Sequence, residues 1–254
     1  MYPAERQAKI IALARDSGGT LGLAEARSAL GVTAETVRRD FNELEQKGHV
    51  TRRRGGISLL TTAPLELALA QRRMQDTPQK LRIARAVTEM LPRQGTLFLD
   101  SGSVALFVAS MIPLDSELVV ITNNLPAALL LLEHPAVSVL TLPGRVRSIT
   151  QAVVDAEVGG IIGDLAVDLA VLGSNGLTIE NGLSTTTPEE ADVKRAIIRA
   201  SRRRIVAVTA RTVGFDAMCA VAPLSEVHTV VTERKIGERA LREISDAGPE
   251  VVAT

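Results

Sequence analysis

The chain has 254 residues, 46% hydrophobic and 23% charged, with 29 basic against 29 acidic side chains, which leaves room for two ordinary globular domains or one large α/β domain. A single cysteine, Cys219, excludes an intrachain disulfide and a cysteine-based metal cluster, and His49, His134 and His228 lack ligand spacing, so neither metal nor cofactor is expected. The first twenty residues are amphipathic, not a leader, and no stretch approaches the roughly 18 apolar residues of a membrane span, so a cytoplasmic protein without a membrane partner is expected.

Residues 4–15 read as a helix, with Ile10, Leu13 and Ala14 at helical spacing, ended by Asp16-Ser17-Gly18-Gly19. A short helix runs from Leu23 to Leu30, and Gly31 suits the position just past its end. Thr33 is placed to cap a third helix running to about Lys47. This order is the helix-turn-helix layout. On the third helix Val37, Phe41 and Leu44 form one apolar stripe. Glu35, Arg39, Asn42 and Gln46 then point away from the core, flanked by Thr36 and Arg38. Arginine and asparagine on such a face can donate to base edges and phosphates. From His49 to Leu59 two short strands are expected around Gly55-Gly56, with Arg52, Arg53 and Arg54 forming a charged wing. Residues 1–60 carry ten basic and seven acidic residues, a net of +3, and the remainder carries −3, which fits a nucleic-acid contact at the front. The candidate DNA contacts are Thr33, Glu35, Thr36, Arg38, Arg39, Asn42, Arg52, Arg53 and Arg54, and the expected partner is a double-stranded operator.

Thr61-Thr62-Ala63-Pro64 separates the wing from the remainder of the chain. The expected organisation is a winged helix-turn-helix over 1–60, a linker and connector helix over 61–78, and an α/β domain over 79–254. Pro78 suits the first turn of a helix extending to Leu91. Beyond it, apolar runs at Thr96–Leu99, Leu118–Thr122, Val137–Leu142, Leu169–Leu172, Ile205–Val208 and Val227–Val231 alternate with helical stretches. These include Ala105–Met111, Leu125–Glu133, Glu189–Ser201 and Lys235–Ala247. Continuous apolar strands separated by helices predict a Rossmann-like, mostly parallel sheet covered on both faces, with ligands at the carboxyl ends of the strands. Polar loops stand at those ends: Asp100-Ser101-Gly102-Ser103, Thr122-Asn123-Asn124, Pro143-Gly144-Arg145 and Gly173-Ser174-Asn175-Gly176. In the first loop, small residues opening a helix let backbone N–H groups approach an anion. Each loop alone is an ordinary βα turn. Their convergence on one sheet edge points to a binding pocket.

The run from Val32 to Gly48, with Thr36-Val37-Arg38-Arg39-Asp40 at its centre, closes on Arg52-Arg53-Arg54-Gly55-Gly56 and resembles the DeoR-type family of bacterial regulators. Gln79-Lys80, Leu99–Ser103, Ile121–Asn124, Leu142–Gly144, Leu172–Gly176 and Glu190-Ala191-x-x-Lys194 extend the resemblance to that family's sensor half, which is similar in fold to ribose-5-phosphate isomerase. The resemblance implies a repressor of sugar-metabolism genes, acting as a homo-oligomer and modulated by a phosphorylated sugar. It implies a phosphate on the Ser101–Ser103 loop and contacts from Asp100, Asn123, Asn175, Glu190 and Lys194, with Gly102, Asn124, Gly144 and Gly176 in the same loops. Three positions depart from the family pattern: Val104 replaces a threonine, Asn175 replaces an aspartate, and Thr209-Ala210-Arg211-Thr212 replaces Asp-x-x-Lys. Arg211 can supply a displaced cation to the phosphate. The alternative is a sugar-phosphate isomerase with a DNA-binding appendage, for which Glu190 is the one candidate base. No second acid–base partner is evident, so no catalytic residue and no enzyme are expected.

Overall fold

In the computed structural model, which describes residues 3–17, 20–46, 50–53, 55–59, 68–155 and 158–254, the chain opens with α1 (Pro3–Asp16) and a three-residue strand β1 (Thr20–Gly22). Then come α2 (Leu23–Leu30), α3 (Ala34–Gln46), β2 (Val50–Arg53) and β3 (Gly56–Leu59). Gly31 ends α2 at φ 64°, a left-handed conformation that costs glycine little, and its N–H reaches Arg27 O at 3.0 Å. Thr33 Oγ1 accepts the Thr36 N–H at 3.3 Å and starts α3. Val37, Phe41 and Leu44 pack against Ile10 and Ala14 of α1, Ala26 and Leu30 of α2, and Val50 and Ile57 of the hairpin. The strand β1 was not expected. It pairs antiparallel with β3 (Leu21↔Ile57), giving the order β1-β3-β2. Lys47 to His49 and Arg54 lie outside the described residues.

Contacts divide the chain into two units, Met1–Leu65 and Glu66–Thr254. In the second, the helices α4 (Leu69–Met74) and α5 (Thr77–Thr88) precede β4 (Gln94–Leu99), α6 (Ser103–Ala109), β5 (Glu117–Thr122), α7 (Leu125–Leu131) and β6 (Val137–Thr141). A small hairpin, β7 (Arg145–Arg147) and β8 (Ala152–Val154), leads to α8 (Val158–Gly163) and β9 (Val167–Leu172). Next come β10 (Gly176–Thr178), β11 (Gly182–Thr185), α9 (Pro188–Ala200), β12 (Ser201–Ala207) and β13 (Cys219–Ala222). The unit closes with β14 (Thr229–Thr232), α10 (Glu238–Asp246) and β15 (Glu250–Ala253).

Seven strands form one sheet in the order β15-β14-β12-β9-β4-β5-β6, and every pairing in it is parallel. The two-residue alternation of strands sorts the side chains between two cores. Leu97, Leu99, Val120 and Ile205 face α5, α6 and α7, while Phe98, Ile121, Ala170 and Val206 face α8, α9 and α10. This is why the strands read as continuous apolar runs. Every strand expected from those runs lies in this sheet, and β15 adds an edge strand that was not expected. The connector expected over 61–78 is part of the second unit where it is described: the Leu69 N–H bonds Ile149 O at 2.9 Å and α4 packs against α6. Residues 61–67 lie outside the described residues.

In the first unit α3 is held to α1 by charge as well as by apolar packing. Asp40 is 1% exposed and takes a two-pronged contact from the Arg6 guanidinium, with Nη2 to Oδ1 at 2.9 Å. Next to it, Gln7 Nε2 donates to Glu43 Oε2 at 2.6 Å. Asp40→Ala should cost about 1–3 kcal/mol of this unit's stability in denaturant titration. That is below the cost of breaking a fully buried pair, because the guanidinium keeps some contact with water.

Candidate functional site

The sheet reverses direction between β4 and β9. From β4 the chain winds outward through β5 and β6, then returns to place β9 on the other side of β4. Loops leaving two adjacent strands in opposite directions open a crevice there. Asp100 comes directly after β4 and Gly173 directly after β9. The fully buried Asp100 carboxylate receives the Gly173 N–H at 2.9 Å on Oδ2 and the Ser101 N–H at 2.8 Å on Oδ1. The Lys194 ammonium, carried in by α9, contacts the same Oδ2 and also donates to Gly173 O at 3.0 Å. α9 is aimed there by its own start: Thr187 accepts the Glu190 N–H and Pro188 fills the first turn.

One turn before Lys194, Glu190 enters the same region. Its Oε1 meets the Arg147 guanidinium from β7, and its Oε2 lies 3.1 Å from the Thr185 hydroxyl. That hydroxyl is also 2.9 Å from Asn175 Oδ1. Asp100 and Lys194 thus form one bonded group with Gly173, and Glu190, Arg147, Thr185 and Asn175 form a second, with Lys194 and Glu190 one turn apart on α9. The sequence did not single out Arg147 or Thr185, and nothing local marks them, because their partner Glu190 is 43 residues away from one and on another element from the other. With both carboxylate oxygens engaged, Glu190 is poorly disposed as the free base an isomerase needs.

Asn123 and Asn124, at the end of β5, part company. Asn124 spends its side chain inside the protein: Nδ2 donates to Asp100 O at 3.2 Å and Gly102 O at 3.1 Å, and Oδ1 caps α7 through the Ala127 N–H at 3.2 Å. It shapes the Asp100–Ser103 loop with both of its amide donors. Asn123 is 1% exposed and its Oδ1 has no hydrogen-bond partner among the described residues. A buried orphaned acceptor of this kind asks for a donor from outside the protein.

Ser101, Gly102 and Ser103 lead into α6, whose first-turn N–H groups have no carbonyl within the helix. Gly102 sits at φ 122°, closed to side chains, with open space where a Cβ would stand. Gly144 and Gly176 have structural reasons of their own. A Cβ would fall 2.6 Å from Val154 O at Gly144, and 2.4 Å from Phe215 O at Gly176, so both glycines serve strand packing. Arg211, just after β12, pairs through Nε with Asp76 Oδ2 at 2.7 Å. Beside that pair Lys80 is almost fully enclosed and donates to the carbonyls of Arg72 and Gln75, the latter at 2.7 Å. Burial, with Arg72 and Arg211 nearby and only partly offset by Asp76, pushes the Lys80 ammonium down to about 8.

In the first unit, Glu35, Arg38, Arg39 and Asn42 lie exposed on the face of α3 opposite its core stripe. Arg39 is 80% exposed, with Glu43 at 3.5 Å, and Arg38 has Glu35 at 3.6 Å. Thr33 and Thr36 bond each other at the start of α3, 2.9 Å between hydroxyls. Arg52 and Arg53 are exposed on β2, and Arg52 sits 5.6 Å from the Phe41 ring centroid. The pairs on α3 are weak surface contacts that leave the guanidinium groups open to a stronger anion.

A family model described as the DeoR-like helix-turn-helix domain matches residues 6–63, and one described as the DeoR C terminal sensor domain matches residues 75–234. Among relatives, the HTH-type transcriptional regulator GlpR of Haloferax volcanii is 30% identical over 99% of this chain and 98% of its own length. The glycerol-3-phosphate regulon repressor of Escherichia coli K12 is 30% identical over 92% of each chain. A solved ribose 5-phosphate isomerase A from Methanocaldococcus jannaschii superposes with a TM-score of 0.41 at 14% identity, over 55% of each chain. Among the described residues no helix is long and apolar enough to cross a membrane.

Two measurements check the site. Asp100→Ala strands the buried Lys194 ammonium and should lower the second unit's stability by about 3–5 kcal/mol in denaturant titration. For Lys80 the folded value near 8 lies below the ordinary 10.5, so between them the unfolded chain holds more protons and stability rises with pH. Lys80→Met should flatten that rise in thermal midpoints taken from pH 7.5 to 10.5.

Proposed function

The chain belongs to the DeoR family of transcriptional regulators, and from that premise we propose that it represses carbohydrate-metabolism genes in the cytoplasm, with operator binding modulated by a phosphorylated sugar held at the β4–β9 crevice. Residues 1–60 act as the DNA-binding head and residues 79–254 as the sensor. Arg38, Arg39 and Asn42 enter the major groove on α3, with Thr33, Glu35 and Thr36 at its N-terminal edge and Arg52, Arg53 and Arg54 tracking the DNA backbone. In the sensor, the phosphate rests on the loop of Ser101 to Ser103, and Asn123 and the Asp100–Lys194 cluster meet the sugar hydroxyls. The orphaned Asn123 acceptor, buried at a strand end beside the switch point, supports this more than any other observation.

A homo-oligomer presents two heads at operator half-site spacing, and a ligand shifts occupancy only as far as it discriminates between two conformations. The relatives named above are regulators of transcription, and a Glu190 carboxylate held by Arg147 and Thr185 is poorly disposed for proton transfer.

Thermal unfolding of the full chain against sugar phosphates and their free sugars, beginning with glycerol 3-phosphate, tests the sensor. At about 100 times its dissociation constant a ligand adds roughly 2.7 kcal/mol, a midpoint rise on the order of 5–10 °C. A rise with a phosphosugar and not with its free sugar is the expected outcome; no rise with any phosphosugar removes the sensing role and leaves the DNA-binding one. On the DNA side, Arg39→Ala should weaken operator binding by about 1–3 kcal/mol in fluorescence anisotropy, and unchanged affinity takes Arg39 out of the interface.

A further inference from the structure

Residues 68–80 cross from α4 into α5 and are fastened to the sensor at both ends. At one end the Leu69 N–H bonds Ile149 O, two residues beyond the Arg147 that grips Glu190. At the other, Asp76 reaches Arg211 and the Lys80 ammonium closes on the carbonyls of Arg72 and Gln75. Both fastenings are to loops around the crevice: Ile149 lies between β7 and β8, and Arg211 stands just after β12, the strand beside β9.

The Asp76 end is poised in two respects. Asp76 sits at φ 52°, a left-handed conformation that a side chain adopts at a cost, and its ion pair helps to hold it there. Its single carboxylate also stands beside two cations, Lys80 and Arg211. Such an excess of positive charge accommodates a second anion without a new cation. The backbone of the Arg211 loop is pinned, because the Ala210 N–H donates to Glu233 Oε2 at 2.7 Å and Thr212 N–H to Thr209 O at 3.0 Å. The Arg211 side chain is 44% exposed, so it can change partner while its loop stays in place.

We propose that Arg211 is shared between Asp76 and the phosphate of the bound effector, so that residues 68–76 report occupancy of the crevice. The proposal rests on the phosphosugar reading above. When phosphate takes the guanidinium, Asp76 gives up its direct ion pair, with only Lys80 still nearby, and the segment leading back toward the DNA-binding unit loosens. The substitution of Asp-x-x-Lys by Thr209-Ala210-Arg211-Thr212 then has a consequence: a longer, planar cation can pair with either anion in turn.

The test uses the full chain, glycerol 3-phosphate and inorganic phosphate as probes, and two variants. Asp76→Gly removes the carboxylate and suits the left-handed backbone; Arg211→Gln removes the cation. Asp76→Gly should bind the probe several-fold more tightly and Arg211→Gln about tenfold less tightly. Hydrogen exchange of the amides of residues 69–76 should rise when the wild-type chain is saturated with probe, and should already be raised in Asp76→Gly without it. Binding that both variants leave unaltered, or exchange at 69–76 that the probe does not change, overturns the sharing of Arg211 alone. No response to either probe, nor to any sugar phosphate of the thermal series, in the wild type or the variants overturns the phosphosugar reading and the sharing of Arg211 together.

Discussion

The contact between Asp100 and Lys194 is the constraint around which the second unit is arranged. A parallel sheet that reverses its winding direction leaves a gap between two loops, and that gap carries backbone N–H and carbonyl groups without strand partners. Here one carboxylate receives N–H groups from both sides of the gap, Ser101 and Gly173, and one ammonium binds the carboxylate and the Gly173 carbonyl. A buried charge pair tolerates such a place only when its remaining hydrogen-bonding capacity is met, and these backbone groups meet it. The pair therefore bridges the two loops, and it fixes where α9 must enter.

The rest of the site is set by that entry. With Lys194 seated, Glu190 is carried one turn earlier along α9 to Arg147 and Thr185, and Thr185 holds Asn175. Asn124 ties the Asp100 loop to the start of α7. Asn123, its neighbour, is left with a buried acceptor. Of these two adjacent asparagines, one is bonded within the protein at both ends of its amide and the other keeps an unbonded buried oxygen.

The first unit is built on the same economy of charge at a smaller scale. Asp40 stands in the middle of the signature Thr36-Val37-Arg38-Arg39-Asp40, yet it faces inward to Arg6 while the two arginines before it face solvent. A helix turns 100° per residue, so three consecutive charged residues cannot all serve one surface. Two guanidinium groups are exposed because the carboxylate beside them is spent on holding α3 to α1.

Much of this was legible in the residues themselves. Apolar runs with a period too continuous for one-sided strands predicted the parallel sheet, and Gly31, Thr33, Pro78 and the Val37-Phe41-Leu44 stripe placed the helices. Three-residue strands such as β1, β7 and β8 have too little pattern to announce themselves. The β10–β11 hairpin carried one overlooked signal, Asn181-Gly182, with Gly182 at φ 68°. The sequence by itself determined the fold class, the order of the elements and which loops meet at the sheet edge, because periodicity and turn chemistry are local. Only the tertiary structure decided that Asp100 pairs with Lys194, that Glu190 is held by Arg147, that Asn124 is spent, and that Arg211 turns to Asp76. Those partners lie between 22 and 135 residues apart, and the pairing of charges across such separations is set by sheet topology, not by local sequence.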